Sequence, residues 1–261
     1  MIASLCLMLT SSPTGRLYEV PLRYRIDVKQ TSELDRRVGG GTLEHGEVTT
    51  RAFVSLTLRD SANGQVAHFV IDSMVAEPLG DIPWASEVSS AKWLRQAFID
   101  AFVVHGKIQG KPRLSVETLA LRPLLDAVRL IFPGAPANAI VGDHWTDTLS
   151  LITGTGTETW NVVPHEPGES MVLTQSRTTD MTRPTKAVGE TMTATGSGIA
   201  RVVMDADGAA RSATSRRLTK SRLMSSAIPD GVPGTDEMAI DIQRIAHPDQ
   251  KPNKSASGRK Q

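Results

Sequence analysis

The sequence predicts an α+β fold that is mainly β, a curved antiparallel sheet of about ten strands covered by two helices. Apolar and polar residues alternate over most of the chain, the period of strands with one face in water. One contiguous block in the middle changes to three-and-four spacing, which groups the helices and excludes the strand–helix alternation of a parallel sheet. Only 4% of residues are aromatic and 39% hydrophobic, too few for a densely buried α/β core.

The clearest strand is Leu22 to Val28, where Leu22, Tyr24, Ile26 and Val28 alternate with Arg23, Arg25 and Asp27. After Gly39-Gly40-Gly41, a second strand from Val48 to Leu58 carries Val48, Ala52, Val54, Leu56 and Leu58 on one face. Asp60 to Gly64 makes a turn through Asn-Gly, a pair that readily takes positive φ, and Val66 to Val75 returns. Val88, Ala91, Leu94, Phe98, Ala101 and Phe102 then follow helical spacing and predict a helix over 85–103, with Ser86 or Ser89 as cap. Two short extended pieces follow, Lys107 to Gln109 and Arg113 to Glu117. A second helix is predicted from Leu119 to Phe132, with Leu121, Leu124, Leu125, Val128 and Ile131 facing inward and Pro123 tolerated in the first turn. Beyond Trp145 the pattern predicts strands at 145–152, 157–163, 169–178, 188–205, 209–223 and 237–246, with a hairpin at Ala206-Asp207-Gly208.

At 261 residues, the chain equals about 1.7 domains of ~150 residues. A cut near Ala137 would leave a small sheet with two edges to protect, so residues 18–246 read as a single α+β domain. Residues 1–17 read as a truncated signal segment: Met1 to Leu9 is apolar and runs into Thr10, Ser11, Ser12 and Pro13, and is too short to span a bilayer. That run predicts an exported, periplasmic or envelope-associated protein. Residues 247–261 mix Lys251, Lys254, Arg259 and Lys260 with Pro, Asn, Ser and Gly, the composition of a disordered basic tail.

A net charge of +1 offers no field for nucleic acid, and the single Cys6 excludes an internal disulfide and a cysteine-cluster zinc site. His45, His68, His105, His144, His165 and His247 are scattered singly, so no metal and no cofactor is expected. Met204-Asp205-Ala206-Asp207-Gly208 lacks the third acid and distal Glu of a calcium loop and reads as the hairpin. Gly196-Ser197-Gly198 lacks the strand-to-helix turn of a nucleophile elbow, and Gly154-Thr155-Gly156 reads as a loop with no lysine-bearing helix after it. Arg211, Arg216, Arg217, Lys220 and Arg222 lie on one strand without interleaved aromatics and read as a solvated or edge-protecting face.

The most distinctive string runs from Ile140 to Thr148. Gly142-Asp143 reads as a turn launching a strand with Trp145, Leu149 and Leu151 on one face and Asp147 intruding on that side. One reading makes His144 and Asp147 a polar pair lining a cavity, with desolvation tuning both for acid–base work. The plainer reading leaves His144 exposed in the turn and Asp147 at a sheet edge.

The segment Val141-Gly142-Asp143-His144-Trp145-Thr146 resembles the Gly-Asp-x-Trp hallmark of an uncharacterised family of exported bacterial proteins. At the level of fold, the strand count with its helical block is similar to the half-barrels of the lipoprotein-carrier superfamily, which cup acyl chains between a curved sheet and its helices. Neither resemblance supplies catalytic residues. The one-sided strands, the helical block that can cap a cavity and the lack of a catalytic constellation predict a non-enzymatic exported protein that binds an apolar ligand (a lipid or acyl chain) or a partner between sheet and helices. The two periodicities predict a cavity lined by Phe98, Phe102, Leu125 and Val128 from the helices and by Ile26, Leu56 and Ile71 from the strands. The alternatives are a hydrolase-like enzyme in which His144 and Asp147 converge with His165, and a purely structural envelope component working through its strand edges.

Overall fold

A computed structural model describes residues 21–80, 94–116, 121–136, 138–151, 154–166, 169, 171–185 and 190–246. The expected segments at 1–17 and 247–261 lie outside the described residues. Eleven strands form one sheet in the order β5-β4-β3-β2-β1-β11-β10-β9-β8-β7-β6. They are β1 (Leu22–Asp35), β2 (Leu43–Ser61), β3 (Gly64–Gly80), β4 (Phe98–Val104), β5 (Lys107–Leu114), β6 (His144–Leu151), β7 (Gly154–Val163), β8 (Met171–Pro184), β9 (Thr191–Met204), β10 (Ala210–Ser225) and β11 (Ile228–Ile245). Every neighbouring pair is antiparallel.

The chain makes two meanders, and the first and last strands join them: β1 pairs with β11 from Arg23↔Ile245 to Leu34↔Gly234. The sheet's edges are therefore β5 and β6, which are consecutive in sequence. Between them the chain passes through the helix α1 (Arg122–Ile131). The sheet curls until Lys107 Nζ on one edge lies 2.5 Å from Asp147 Oδ1 on the other. Just past α1, Pro133 bridges to Lys107 and the Gly134 N–H donates to the Gly106 carbonyl at 2.9 Å. The seam is thus closed by a helix and a crossing segment rather than by a strand ladder.

Helix α1 is the one α-helix among the described residues. It falls inside the predicted 119–132, with Pro123 in the first turn. The helix expected at 85–103 is not formed where it can be seen: Phe98–Val104 is β4, and the part up to residue 93 lies outside the described residues. The stretch Phe98-Ile99-Asp100-Ala101-Phe102-Val103-Val104 fits both periods, and its β-branched and aromatic residues favour the pleated surface once β3 supplies a partner. Ile99, Ala101 and Val103 are buried, while Phe98, Asp100 and Phe102 turn to the other face. There Asp100 Oδ1 is 2.6 Å from Nδ1 of His68, its partner on β3, and Phe98 tilts over the same imidazole at 5.2 Å.

Two details of the first meander also differ from expectation. The two extended pieces around Gly110 and Pro112 belong to one strand, β5, and Pro112 is admissible because β5 is an edge. The β2–β3 hairpin turns at Ala62-Asn63, but neither Asn63 nor Gly64 has positive φ. Gly64 is required by closeness, since a Cβ there would lie 2.6 Å from the Val103 carbonyl oxygen.

Leu124, Ala127, Val128 and Ile131 occupy one face of α1, all buried. They pack into the concave face of the sheet with Tyr24, Ile26, Leu56, Phe69, Ile71, Ile99 and Ile242. Phe132 meets Phe69 edge-on at 6.2 Å, and the Tyr24 hydroxyl donates to the Ala210 carbonyl at 2.9 Å. The convex face is charged and wet: Asp27 pairs with Arg25 (2.9 Å) and Arg51 (2.5 Å), and Lys29 with Glu47 (2.9 Å).

The Asp205–Gly208 segment is the expected hairpin, and arginines hold its carboxylates. The Gly208 N–H donates to the Asp205 carbonyl at 3.0 Å, and Arg211 and Arg244 bind Asp205, with Arg244 also 2.6 Å from Asp207. Burial alone would lower the Arg244 pKa, but its hydrogen bond to Asp207 and the neighbouring negative charges outweigh it, so the guanidinium is held above its usual range.

Candidate functional site

Helix α1 has two working faces. While Leu124, Ala127, Val128 and Ile131 fill the core, the stripe Asp126, Arg129 and Leu130, continued by Pro133, faces a groove of about 630 Å³ opposite β6–β11. The i, i+3, i+4 and i+7 spacing puts these positions on one side of the helix. On the facing sheet the alternation sends Trp160 and Glu158 of β7, Gln175 and Arg177 of β8, Gly198 of β9, Ser215 and Arg217 of β10, and Met238 and Ile240 of β11 into the same space. β5 and β6 contribute Lys107, Ile108, Asp147 and Leu149 at the rim. The groove stays open because the sheet opposite the helix carries Gly198 and Ser215, side chains too small to reach across.

A chain of charges runs along the groove. Arg217 Nη1 donates to Asp126 Oδ2 at 2.8 Å, and Arg177 Nη1 lies 3.7 Å from Asp126 Oδ1 and 3.6 Å from Glu158 Oε1. Glu158 stands directly opposite Asp147 in the β6–β7 ladder. Two like charges at paired positions would repel, and Arg177 on one side and Lys107 on the other offset that cost. The wall beside them is apolar, with Trp145 stacked on Trp160 at 6.3 Å and 12°. Three buried polar atoms here have no hydrogen-bond partner: the donors Trp145 Nε1 and Arg177 Nε, and the acceptor Asp147 Oδ2.

None of the seven residues predicted to line a cavity lines this groove. Ile26, Leu56, Ile71 and Val128 are at most 1% exposed and belong to a packed core. Leu125 is partly buried against that core. Phe98 and Phe102 are on a strand, facing away from Ile99 and Ala101, so they cannot meet the others. The apolar faces were rightly assigned for the strands and α1, but apolar faces that meet squarely fill the space between them.

His144 and Asp147 do not form a pair. Three residues apart on β6, they take opposite faces: His144 is exposed, Asp147 turns inward with Trp145 and Leu149, and His165 is exposed beyond the end of β7. The Gly142-Asp143 turn is as expected. Gly142 has φ +99°, the Asp143 N–H donates to the Ile140 carbonyl at 3.0 Å, and Asp143 Oδ2 accepts from the Ile140 N–H at 2.9 Å. The basic residues of β10 do not guard an edge, because β10 is paired on both sides and Arg217 points into the groove. Gly154 and Gly156 begin β7 and do not form a loop.

The residues that sequence reasoning missed are Asp126, Glu158, Gln175, Arg177 and Arg217. Their signal was parity: Glu158 alternates in phase with Trp160 and Val162, both buried, just as Asp147 does with Trp145.

No protein-family model matches the sequence, and neither does any curated protein. Among solved structures, one describing lipid–protein interactions in lipovitellin is similar over 87% of this chain and 25% of its own, at 11% identity and a TM-score of 0.50. The chain thus spans about a quarter of that protein, and the likeness is one of fold. Pseudomonas aeruginosa OccK5 (OpdH) aligns over 87% of this chain and 99% of its own at 6% identity, with a TM-score of 0.27, too low to establish a common fold. The chain is therefore a mainly β protein built on an open, curved, eleven-stranded antiparallel sheet, similar in fold to part of lipovitellin.

Proposed function

We propose that this is a non-enzymatic binding protein whose groove between α1 and β6–β11 takes an apolar or amphipathic ligand of the lipid or acyl-chain class. The observation that carries the reading is the groove itself: about 630 Å³ left unfilled inside a curved sheet, walled by Trp160, Leu130, Leu149, Phe132, Met238 and Ile240. That volume lies within the ~300–1,000 Å³ of small-molecule sites. The fold-level likeness to lipovitellin, whose structure is described for its lipid–protein interactions, supports the ligand class. The apolar run Met1 to Leu9 supports an exported or envelope-associated setting. Each groove carboxylate faces a cation, an arrangement suited to holding a shape rather than moving protons.

The test is titration with an environment-sensitive apolar dye, alongside native mass spectrometry of protein purified from its own host. Saturable binding of one dye per chain, displaced by a medium-chain alcohol and abolished by Gly198→Leu, is the expected result. Gly198 has ordinary φ, but its added Cβ would stand 3.3 Å from the Arg216 carbonyl oxygen, so the ladder must give slightly and loss of binding counts only in a variant that melts like wild type. Absence of dye binding by folded protein would contradict the reading.

A further inference from the structure

The charges along the groove do not balance: Lys107, Arg129, Arg177 and Arg217, four of its cations, face three carboxylates, Asp126, Asp147 and Glu158. The carboxylates are spoken for, Asp147 by Lys107, Glu158 by Arg177, and Asp126 by Arg177 and Arg217. Arg129 is on the same stripe of α1 as Asp126, one turn along, yet has no acidic partner among the described residues. A place near the helix C-terminus favours a cation there, which accounts for the charge but not for its direction into a sheltered groove. A sheltered guanidinium without a counter-ion is left costly until an anion arrives. Two of the three buried polar atoms beside the groove that have no protein partner among the described residues, Arg177 Nε and Trp145 Nε1, are likewise donors.

We infer that the groove selects an amphiphile with an anionic head group, a carboxylate or a phosphate, which Arg129 receives while the chain lies along Trp160, Leu149, Met238 and Ile240. This rests on the proposed ligand class and adds its head group. The planar guanidinium suits two-pronged contact with either anion, which a lysine cannot reproduce.

The experiment compares three probes that share one chain and differ in head group: dodecanoate, dodecyl phosphate and dodecanol. Each is titrated into the full-length protein while tryptophan emission is followed. The inference expects both anions to bind about tenfold or more tightly than the alcohol, with an advantage that shrinks in salt. Arg129→Gln should remove that advantage, weakening both anions about tenfold or more relative to dodecanol, and Arg129→Lys should restore only part of it. A preference for dodecanoate over dodecyl phosphate assigns a fatty acid, and the reverse assigns a phosphorylated lipid. Equal affinity for all three probes, or an anion preference untouched by Arg129→Gln in a variant that melts like wild type, overturns the head-group inference while the groove stands. Failure of dodecanol and the apolar dye as well overturns the groove reading itself.

Discussion

Gly64 and Gly106 show how one residue type serves two physical needs. At Gly64 the backbone is ordinary and the constraint is space, with the Val103 carbonyl 2.6 Å from where a Cβ would sit. At Gly106 φ is +71° and nothing lies within 4 Å, so the constraint is conformational. Gly64→Ala should cost roughly 1–3 kcal/mol by overpacking, and Gly106→Ala about 1 kcal/mol by backbone strain, both read from urea denaturation. The ranking would reverse if the hairpin needed flexibility and not closeness. The stacked indoles give a second comparison. Trp160 is 3% exposed while Trp145 is only partly buried, so Trp160→Ala should cost about 3–5 kcal/mol and Trp145→Ala distinctly less. Equal losses would place Trp145 inside the core. Asp147 was legible at this scale from its phase with Trp145 and Leu149. The same parity already set His144 on the other face, so the expected acid–base pair conflicted with the alternation that located its acid.

Helix α1 owes its place to being amphipathic in two senses at once. Leu124, Ala127, Val128 and Ile131 dock it on the sheet, and Asp126 ties its opposite face to Arg217 at 2.8 Å and Arg177 at 3.7 Å. Asp126→Ala leaves two guanidinium groups in a sheltered groove without that partner, and should lower stability by about 1–3 kcal/mol. Thermal melts of Asp126→Ala, Arg217→Ala and the double variant would show it. Coupling between the two changes is expected, and strict additivity would mean that the ion pair contributes nothing. The apolar stripe of α1 was legible because a long, consistent three-and-four spacing has one solution. β4 was not, because seven residues of mixed β-branched and aromatic character satisfy either period until a neighbouring strand decides between them. Strand lengths were underestimated for a related reason: β2 and β3 run on past the core, where the apolar alternation fades but the ladder to Gly46↔Gly80 continues.

At the scale of the molecule, the sheet is closed in the middle and open at its ends. β1 and β11 unite the two meanders, and among the described residues the free edges β5 and β6 meet through side chains, α1 and the segment that crosses the seam. Antiparallel, one-sided strands in one curved sheet followed from the alternation along the chain. The groove did not, because it exists only once Asp126, Glu158, Arg177 and Arg217 from four separate elements face one another across Gly198 and Ser215. On the proposed function, ligand enters this groove and leaves the packed core beside it untouched. Methyl-resolved NMR of the chain titrated with dodecanoate tests that claim directly. Saturable shifts at Leu130, Leu149, Met238 and Ile240, with Ile26, Leu56, Ile71 and Val128 unmoved, are the predicted result. Shifts centred on Ile26, Leu56, Ile71 and Val128, or no saturable shift anywhere, would contradict it.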